Sequence, residues 1–137
     1  MAERATAPPV NGVLETSLYV EDLDRSERFY QRIFGFQTID REPGRLYALS
    51  IEGRQVLLLF KKGASLTRDV PTDGSGELHL TFAIAATELE AWEKWLAANS
   101  IAIEKKRQWE RGGTSLYFRD PDRHLLELAT PGLWSIY

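Results

Sequence analysis

Residues 113–132 have the sequence Gly113-Thr-Ser-Leu-Tyr-Phe-Arg-Asp-Pro-Asp-Arg-His-Leu-Leu-Glu-Leu-Ala-Thr-Pro-Gly132. This pattern predicts a β-hairpin, because two runs rich in aromatic, β-branched and aliphatic residues flank an Asp-Pro-Asp turn. In the second run, Glu127 stands among leucines and Ala129. A carboxylate in so apolar a strand is costly to bury unless it is compensated. Glu127 therefore either points to water or binds a cation, and the rest of the chain helps to choose between them.

The composition limits the classes of function. The chain has 137 residues, 43% hydrophobic and 27% charged, which suits one domain with a real core or two small modules that share one. The net charge of −3 argues against a dedicated nucleic-acid binder, and the basic run at residues 105–107 is interpreted as a solvated strand edge. The chain has no cysteine, which excludes disulfides and thiolate chemistry. No apolar run could cross a bilayer and no signal peptide opens the chain, so we expect a cytoplasmic protein.

The chain contains an internal repeat with the order β-α-β-β-β. The first copy comprises a strand at 13–20, a helix from the N-cap Asp22 to Gly35, and strands at 36–41, 46–51 and 55–60. The second comprises a strand at 78–84, a helix opened by a capping box at 87–90, a strand at 101–109, and the 113–132 hairpin. We predict an α+β fold: two tandem βαβββ modules forming a curved, half-open mixed sheet with helices outside. The expected limits are a flexible arm at 1–11, one domain at 12–132 made of modules 12–62 and 77–132, and a tail at 133–137.

Aligning the two copies places Glu15 on His79 and Leu58 on Glu127. By strand parity, all four lie on the sheet face opposite the one that packs on the helices. In a curved sheet that face lines the concave interior, so Glu15, His79 and Glu127 are candidate ligands that converge on one cavity. The same parity predicts further lining residues, namely Ser17, Tyr19, Val56, Leu58, Phe60, Thr81, Ser115 and Tyr117.

Two sequence motifs accompany this repeat. Residues 14–30 read Leu-Glu-Thr-Ser-Leu-Tyr-Val-Glu-Asp-Leu-Asp-Arg-Ser-Glu-Arg-Phe-Tyr, and residues 117–122, Tyr-Phe-Arg-Asp-Pro-Asp, precede Leu-Leu-Glu-Leu. With the tandem modules, they resemble the vicinal oxygen chelate superfamily over residues 12–132. That superfamily includes glyoxalase I, bleomycin-resistance proteins, fosfomycin-resistance thiol transferases and extradiol dioxygenases.

The resemblance implies metal ligands on the first strand of each module and on the last strand, positions held here by Glu15, His79 and Glu127. It also implies substrate contacts by Ser17 and Tyr117, which match positions that touch substrate in fosfomycin-resistance relatives. Leu58 stands where glyoxalase I has a carboxylate ligand, which argues against glyoxalase I itself. Arg123 and His124 replace the usual glycine and asparagine after Asp-Pro-Asp.

Each candidate ligand also has an ordinary structural interpretation. Glu15 could face solvent, His79 could be a core histidine with satisfied ring nitrogens, and Glu127 could pair with Arg119. Their equivalent positions on one face favour a joint metal site instead. His124 sits at the tip of a turn, where we expect an exposed surface residue.

One histidine and two carboxylates suit one divalent ion per site, Mn²⁺, Zn²⁺, Ni²⁺, Mg²⁺ or Fe²⁺, acting as a Lewis acid. The sequence therefore favours a metal-dependent lyase, isomerase or transferase acting on a small organic substrate with adjacent oxygens; no residue is assigned a catalytic role. The alternative is a metal-free protein that binds and sequesters a small molecule, as bleomycin-resistance relatives do. An extradiol-type dioxygenase is less favoured, because ferrous oxygenase sites usually have two histidines and one carboxylate.

The expected partners are a small-molecule substrate and a second copy of the chain, with no nucleic acid and no membrane. One module leaves a sheet edge and an apolar concave face uncovered, and must pair with another module. Smaller relatives in the superfamily commonly pair modules between chains, so a homodimer is expected. Each site would then take Glu15 from one chain and His79 with Glu127 from the other.

Overall fold

The computed structural model describes residues 6–137, and residues 1–5 of the expected arm lie outside the described residues. The strands are β1 (Glu15–Val20), β2 (Gln37–Glu42), β3 (Leu46–Ile51), β4 (Gln55–Lys61), β5 (His79–Ala83), β6 (Lys105–Gln108), β7 (Thr114–Arg119) and β8 (Leu125–Ala129). The helices are α1 (Leu23–Phe34) and α2 (Leu89–Ala98), with a short 3-10 helix at Ala86–Glu88 before α2. The order β-α-β-β-β therefore occurs twice, as predicted. Within residues 6–137, no helix has the length and apolar character needed to cross a membrane.

The strands form two four-stranded mixed sheets of the same topology, ordered β1-β4-β3-β2 and β5-β8-β7-β6. In each sheet the first strand pairs in parallel with the last strand of its module, and the other neighbours are antiparallel. The equivalent register pairs are Glu15 with Val56 and His79 with Leu125, then Ser17 with Leu58 and Thr81 with Glu127. The register confirms that Glu15 corresponds to His79, and Leu58 to Glu127.

Each sheet ends in two edge strands, β1 and β2 in the first and β5 and β6 in the second. The pairing of β2 with β3 shifts register between Thr38 and Asp40, which marks an irregularity of the β-bulge type.

The first helix forms as its sequence predicts. The Asp22 carboxylate accepts a hydrogen bond from the backbone N–H of Arg25 at 3.0 Å, satisfying one of the free donors of the first turn. Gly35 ends the helix at φ 70°, a left-handed conformation that glycine adopts without a Cβ penalty. The buried stripe includes Phe29, Tyr30 and Ile33.

The two modules share one hydrophobic core, built around the end of α1. The Phe34 ring centroid lies 4.6 Å from that of Phe82 and 5.6 Å from that of Trp92, both in the second module. The Trp95 indole N–H donates to the carbonyl of Ile33 at 2.9 Å. Leucines from both sheets enter this core, including Leu57, Leu59, Leu126 and Leu128. The alternate residues of β4 and β8 therefore lie on the other side of each sheet, which we call the site face.

Two predicted boundaries in the second module are wrong. The capping box at residues 87–90 is not formed: Ala86–Glu88 is a 3-10 helix, and the N-cap of α2 makes no side-chain hydrogen bond. The backbone N–H of Glu88 bonds instead to the carbonyl of Ala85 at 3.0 Å, so a tight backbone turn leads into the helix. The strand predicted at 101–109 is confined to Lys105–Gln108, because Ile101 and Ile103 pack against the shared core.

The expectation that His124 is exposed is also wrong, since the residue is fully buried. Its Nδ1 accepts from the backbone N–H of Leu78 at 2.9 Å, and its Nε2 donates to the carbonyl of Tyr19 at 2.9 Å. The neutral ring is therefore protonated on Nε2 and links the two modules. Arg123 takes the left-handed conformation of the turn, with φ 66°, and so occupies a backbone geometry that glycine or asparagine would adopt more easily.

A buried carboxylate lies beside this histidine. Asp120 accepts from the hydroxyl of Tyr30 at 2.7 Å and from the backbone N–H groups of Asp122 and His124, each at 2.9 Å. Burial raises the pKa of Asp120, and the hydrogen bond from Tyr30 opposes that shift. The Asp-Pro-Asp turn predicted from composition thus also fastens the second module to α1 of the first.

The C-terminal tail contacts its own chain. The Tyr137 hydroxyl donates to the carbonyl of Ala129 at 2.6 Å, at the end of β8. Trp134 and Ile136 remain 67% and 96% exposed. The tail therefore docks through its last residue and leaves two large apolar side chains on the surface.

Candidate metal and substrate site

Two of the three candidate ligands are brought together in one chain. His79 opens β5, and Glu127 lies at the centre of the adjacent strand β8. Their side chains meet on the site face, with 3.2 Å between His79 Nε2 and Glu127 Oε1. The imidazole is 49% exposed and the carboxylate 6%, so the pair joins a buried anion to an accessible ring.

The hydrogen bonds of His79 fix which ring nitrogen carries the proton, and Nε2 has Thr81 Oγ1 at 3.3 Å as a further neighbour. Its Nδ1 lies 2.9 Å from the carbonyl oxygen of Leu125, which can only accept, so Nδ1 carries the proton. In the neutral imidazole, Nε2 then presents a lone pair towards the Glu127 oxygen. Two acceptors facing each other are stabilised by a proton or a metal ion between them, and a backbone carbonyl on the other nitrogen is the usual support of a metal-bound histidine.

Glu127 is held by hydroxyl groups rather than by an arginine. Ser115 donates to Oε2 at 2.5 Å, and Thr81 donates to Oε1 at 3.0 Å. These bonds compensate the charge that the apolar strand would otherwise leave unsatisfied. The suggested pairing with Arg119 does not occur, since that guanidinium bonds to Glu104 and Glu77.

Glu15 stands apart from this pair. It opens β1 in the first sheet, where it is exposed. Among residues 6–137, no group of three or more histidine and carboxylate side chains is placed to hold a metal ion within one chain. A single chain therefore supplies a two-residue partial site whose donor set fits a divalent cation, and Glu15 as its third ligand remains a prediction.

The basic run at residues 105–107 contributes to a cavity that the sequence analysis did not find. Lys106 turns away from it and pairs with Glu93 at 2.9 Å. Lys105 and Arg107 lie opposite Tyr117 and Ser115 in the register of β6 and β7, and therefore share their face. The cavity has a volume of about 450 Å³ and is lined by Glu104, Lys105, Arg107, Tyr117, Arg119 and Leu125. The sequence signal for this cavity is the alternation of side chains along β6, which places Lys105 and Arg107 on one face once the strand is limited to residues 105–108.

Tyr117 connects the cavity to His79 and Glu127. Its ring stacks with the His79 ring at a centroid distance of 6.4 Å and an interplanar angle of 25°. Burial raises the pKa of Tyr117, and the negative charge of Glu127 raises it further. The hydroxyl is therefore neutral over the physiological range and available as a hydrogen-bond donor to a ligand.

The first module presents the equivalent face of its own sheet. Ser17 lies beside Leu58, and the Tyr19 ring stacks on Phe60 at 5.5 Å. The Tyr19 hydroxyl contacts that of Thr72 in the linker between the modules. This face is predominantly apolar, with hydroxyl groups from a serine and a tyrosine.

Known proteins resemble this chain in sequence and in fold. Residues 12–128 match the Glyoxalase/Bleomycin resistance protein/Dioxygenase superfamily, a range that includes Glu15, His79 and Glu127. The chain belongs to this superfamily. The predicted fold is confirmed by similarity to the solved structure of lactoylglutathione lyase from Agrobacterium tumefaciens. This chain matches that structure with a TM-score of 0.87 and 31% identity, over 93% of this chain and 99% of that one.

Curated relatives in the superfamily include two proteins connected with metal or with fosfomycin by name. Metallothiol transferase FosB from Shouchella clausii (strain KSM-K16) is 30% identical over 129 residues, which cover 88% of this chain and 81% of that protein. Fosfomycin resistance protein FosX from Listeria innocua is 27% identical over 124 residues, 87% of this chain and 89% of that protein.

Proposed function

We propose that the protein is a divalent-metal-dependent enzyme in which the metal acts as a Lewis acid on a small organic substrate with adjacent oxygens. The observation that carries the proposal is the pair of acceptors, His79 Nε2 and Glu127 Oε1, facing each other at 3.2 Å. Each is oriented from behind, the imidazole by a backbone carbonyl and the carboxylate by hydroxyl groups. A divalent ion held there would stabilise negative charge that develops on a substrate oxygen.

Glu15 of a second copy is our proposed third ligand. It is exposed at the start of β1, the position in its sheet that His79 occupies in the other. Pairing the site faces of two modules would bring these equivalent positions together. Three protein ligands leave coordination positions free for two substrate oxygens.

The residues around the pair suggest the class of substrate. Lys105 and Arg107 line the adjacent cavity, and a guanidinium and an ammonium there would bind an anionic group. Tyr117 would donate a hydrogen bond to the same ligand. The relatives named for thiol transfer and for fosfomycin resistance support a substrate with an anionic group such as a phosphonate close to the oxygens that meet the metal.

The second candidate is a metal-free binding protein, favoured by the separation of Glu15 from the other two residues within one chain. Metal content distinguishes the two candidates. Protein purified without chelator and loaded with Mn²⁺ is expected to bind about one ion per chain. Glu127→Gln, which removes the charge, should weaken binding by more than about 100-fold, since losing even a partner behind a ligand costs about 10- to 100-fold.

Glu104→Gln is the matched control, because Glu104 is an exposed carboxylate at the same cavity that bonds to Arg119 instead. It should retain the wild-type affinity for Mn²⁺. Absence of stoichiometric binding to the wild-type protein, or equal affinity in both glutamine variants, would refute the metal site. Loaded protein mixed with fosfomycin, with and without a thiol and followed by ³¹P NMR, then tests the proposed substrate class.

A further inference from the structure

We propose that Trp109 is a positioning residue for Glu127 and acts through Ser115. The inference rests on the proposed function, because it concerns how the carboxylate is presented to a metal ion. Trp109 Nε1 donates to Ser115 Oγ at 2.8 Å, and Ser115 Oγ donates to Glu127 Oε2 at 2.5 Å. An indole outside the ligand pair is thus joined to the buried carboxylate by two consecutive hydrogen bonds.

The direction of these bonds gives Trp109 its role. A serine hydroxyl has one hydrogen and can accept through its lone pairs, while an indole N–H can only donate. Because the Trp109 N–H donates to a lone pair of Ser115 Oγ, the Ser115 hydrogen is directed at Glu127. Ser115 is fully buried, so no bulk water competes for the hydroxyl.

These two hydrogen bonds, from Trp109 to Ser115 and from Ser115 to Glu127, also help to determine which carboxylate oxygen faces His79. We call them the Trp109 relay. Oε2 is engaged by Ser115, and Oε1 is the oxygen 3.2 Å from His79 Nε2. Glu127 is therefore held in one orientation, with Oε1 between Thr81 and His79 and Oε2 turned towards Ser115. Without the indole, the hydroxyl could rotate to another acceptor and the carboxylate would lose this constraint.

The backbone holds the indole in place. The backbone N–H of Trp109 donates to the carbonyl of Gly113 at 3.0 Å, and the backbone N–H of Gly112 donates to the carbonyl of Trp109 at 3.0 Å. Gly113 has φ 84°, and a Cβ there would stand 2.8 Å from the carbonyl oxygen of Pro131. This tight turn is therefore fixed against the segment that follows β8, the strand that carries Glu127.

A second contact must be separated from the Trp109 relay. The Arg107 guanidinium carbon lies 3.8 Å from the centre of the Trp109 ring, a cation–π contact at the rim of the cavity. Trp109→Phe keeps an aromatic ring beside Arg107 but removes the N–H. Arg107→Met keeps the N–H but removes the cation, and is the matched control for metal affinity.

The test is a double-mutant cycle on Mn²⁺ affinity with Trp109→Phe, Ser115→Ala and the double variant. Trp109→Phe is expected to weaken binding about 10-fold and Ser115→Ala about 10- to 100-fold. In the Ser115→Ala background, Trp109→Phe should have no further effect, and Arg107→Met should retain wild-type affinity. Additive losses of Mn²⁺ affinity, or no loss of affinity in Trp109→Phe, would overturn the inference. The proposed function would still stand in that case, provided that the wild-type protein binds Mn²⁺ tightly. Failure of the wild type to bind Mn²⁺ would overturn both.

An NMR measurement keeps the inference testable if Trp109→Phe fails to fold. The chain has four tryptophans, so its indole N–H region contains few resonances. The Trp109 resonance should shift on addition of diamagnetic Zn²⁺ to the wild type, and should move in Ser115→Ala. The indole N–H of Trp134, which is 67% exposed, serves as the internal reference. A Trp109 resonance unmoved in both experiments would show that the indole is not coupled to the carboxylate.

Discussion

Mixing two variants that each lack one proposed ligand tests whether the proposed metal site is shared between two chains. Glu15→Ala and His79→Ala each remove one proposed ligand, and the two ligands lie in different sheets. If Glu15 of one chain completes the site of the other, each homodimer of a single variant has two damaged sites. A mixed dimer has one site that lacks both residues and one that is complete.

The expected occupancy follows from the symmetry of such a dimer. With free Mn²⁺ held about tenfold above the wild-type Kd, wild-type occupancy is about 0.9 ions per chain, and a site weakened about 100-fold holds about 0.1. Equal amounts of the variants, exchanged at random, give about half mixed dimers with one complete site each. The mixture is therefore expected to hold about 0.3 ions per chain, roughly three times the value of either variant alone.

Occupancy would be measured by equilibrium dialysis and elemental analysis, with subunit exchange verified by native mass spectrometry. The matched control mixes His79→Ala with Glu127→Gln, two changes in the same module, which leave every site of a mixed dimer without one ligand. That mixture should show no recovery. If the Glu15→Ala and His79→Ala mixture also fails to recover once exchange is verified, the shared site is refuted.

Two further predictions concern the pH dependence of Mn²⁺ affinity and the contribution of the Tyr30 hydrogen bond to stability. Mn²⁺ affinity should fall as the pH is lowered from neutral to about pH 5, because protons compete for the lone pair of His79 Nε2, and a flat competition titration would count against histidine ligation. Tyr30→Phe removes a hydrogen bond to buried Asp120 and should lower the free energy of unfolding, measured by urea denaturation, by about 1.5–3 kcal/mol at neutral pH. The control is Tyr47→Phe, which removes a hydrogen bond to Asp24 at the surface and should change the free energy of unfolding by less than about 0.5 kcal/mol. The Tyr30 hydrogen bond lowers the pKa of Asp120 against the effect of burial, so its contribution is complete above that pKa and should shrink as the pH falls through it; an effect constant with pH would refute the assignment.

Strand parity and the internal repeat were sufficient to predict the fold and the meeting of His79 with Glu127. Both depend on local periodicity, and the register of the two sheets confirms the alignment. His124 was predicted wrongly because its burial depends on two backbone groups from distant parts of the chain, Leu78 and Tyr19. A turn signal describes the backbone and carries no information on what covers it.

The hydrogen bond from Trp109 to Ser115 could not be predicted from sequence either. It requires the tight turn at residues 109–113 to fold back over β7, and that turn depends on tertiary contacts of Gly113. The interpretation of residues 105–107 as a solvated strand edge is confirmed, since β6 is an edge strand and its residues are exposed. The charge run alone did not indicate that alternation along β6 places Lys105 and Arg107 at the cavity and turns Lys106 away from it.

The four edge strands differ in how well they resist joining the edges of other molecules. β2 carries adjacent charges at residues 40–42 and a register shift, and β6 consists of three basic residues and a glutamine. Such edges discourage intermolecular strand pairing. β1 and β5 pair with their neighbours in a regular register. The titratable residues of β1 are Glu15 and Tyr19, and the titratable residue of β5 is His79. Aggregation through backbone pairing is therefore expected to begin at β5 and at the part of β1 before Tyr19, whose carbonyl already accepts from His124. Occupying those edges would protect the protein during storage and expression.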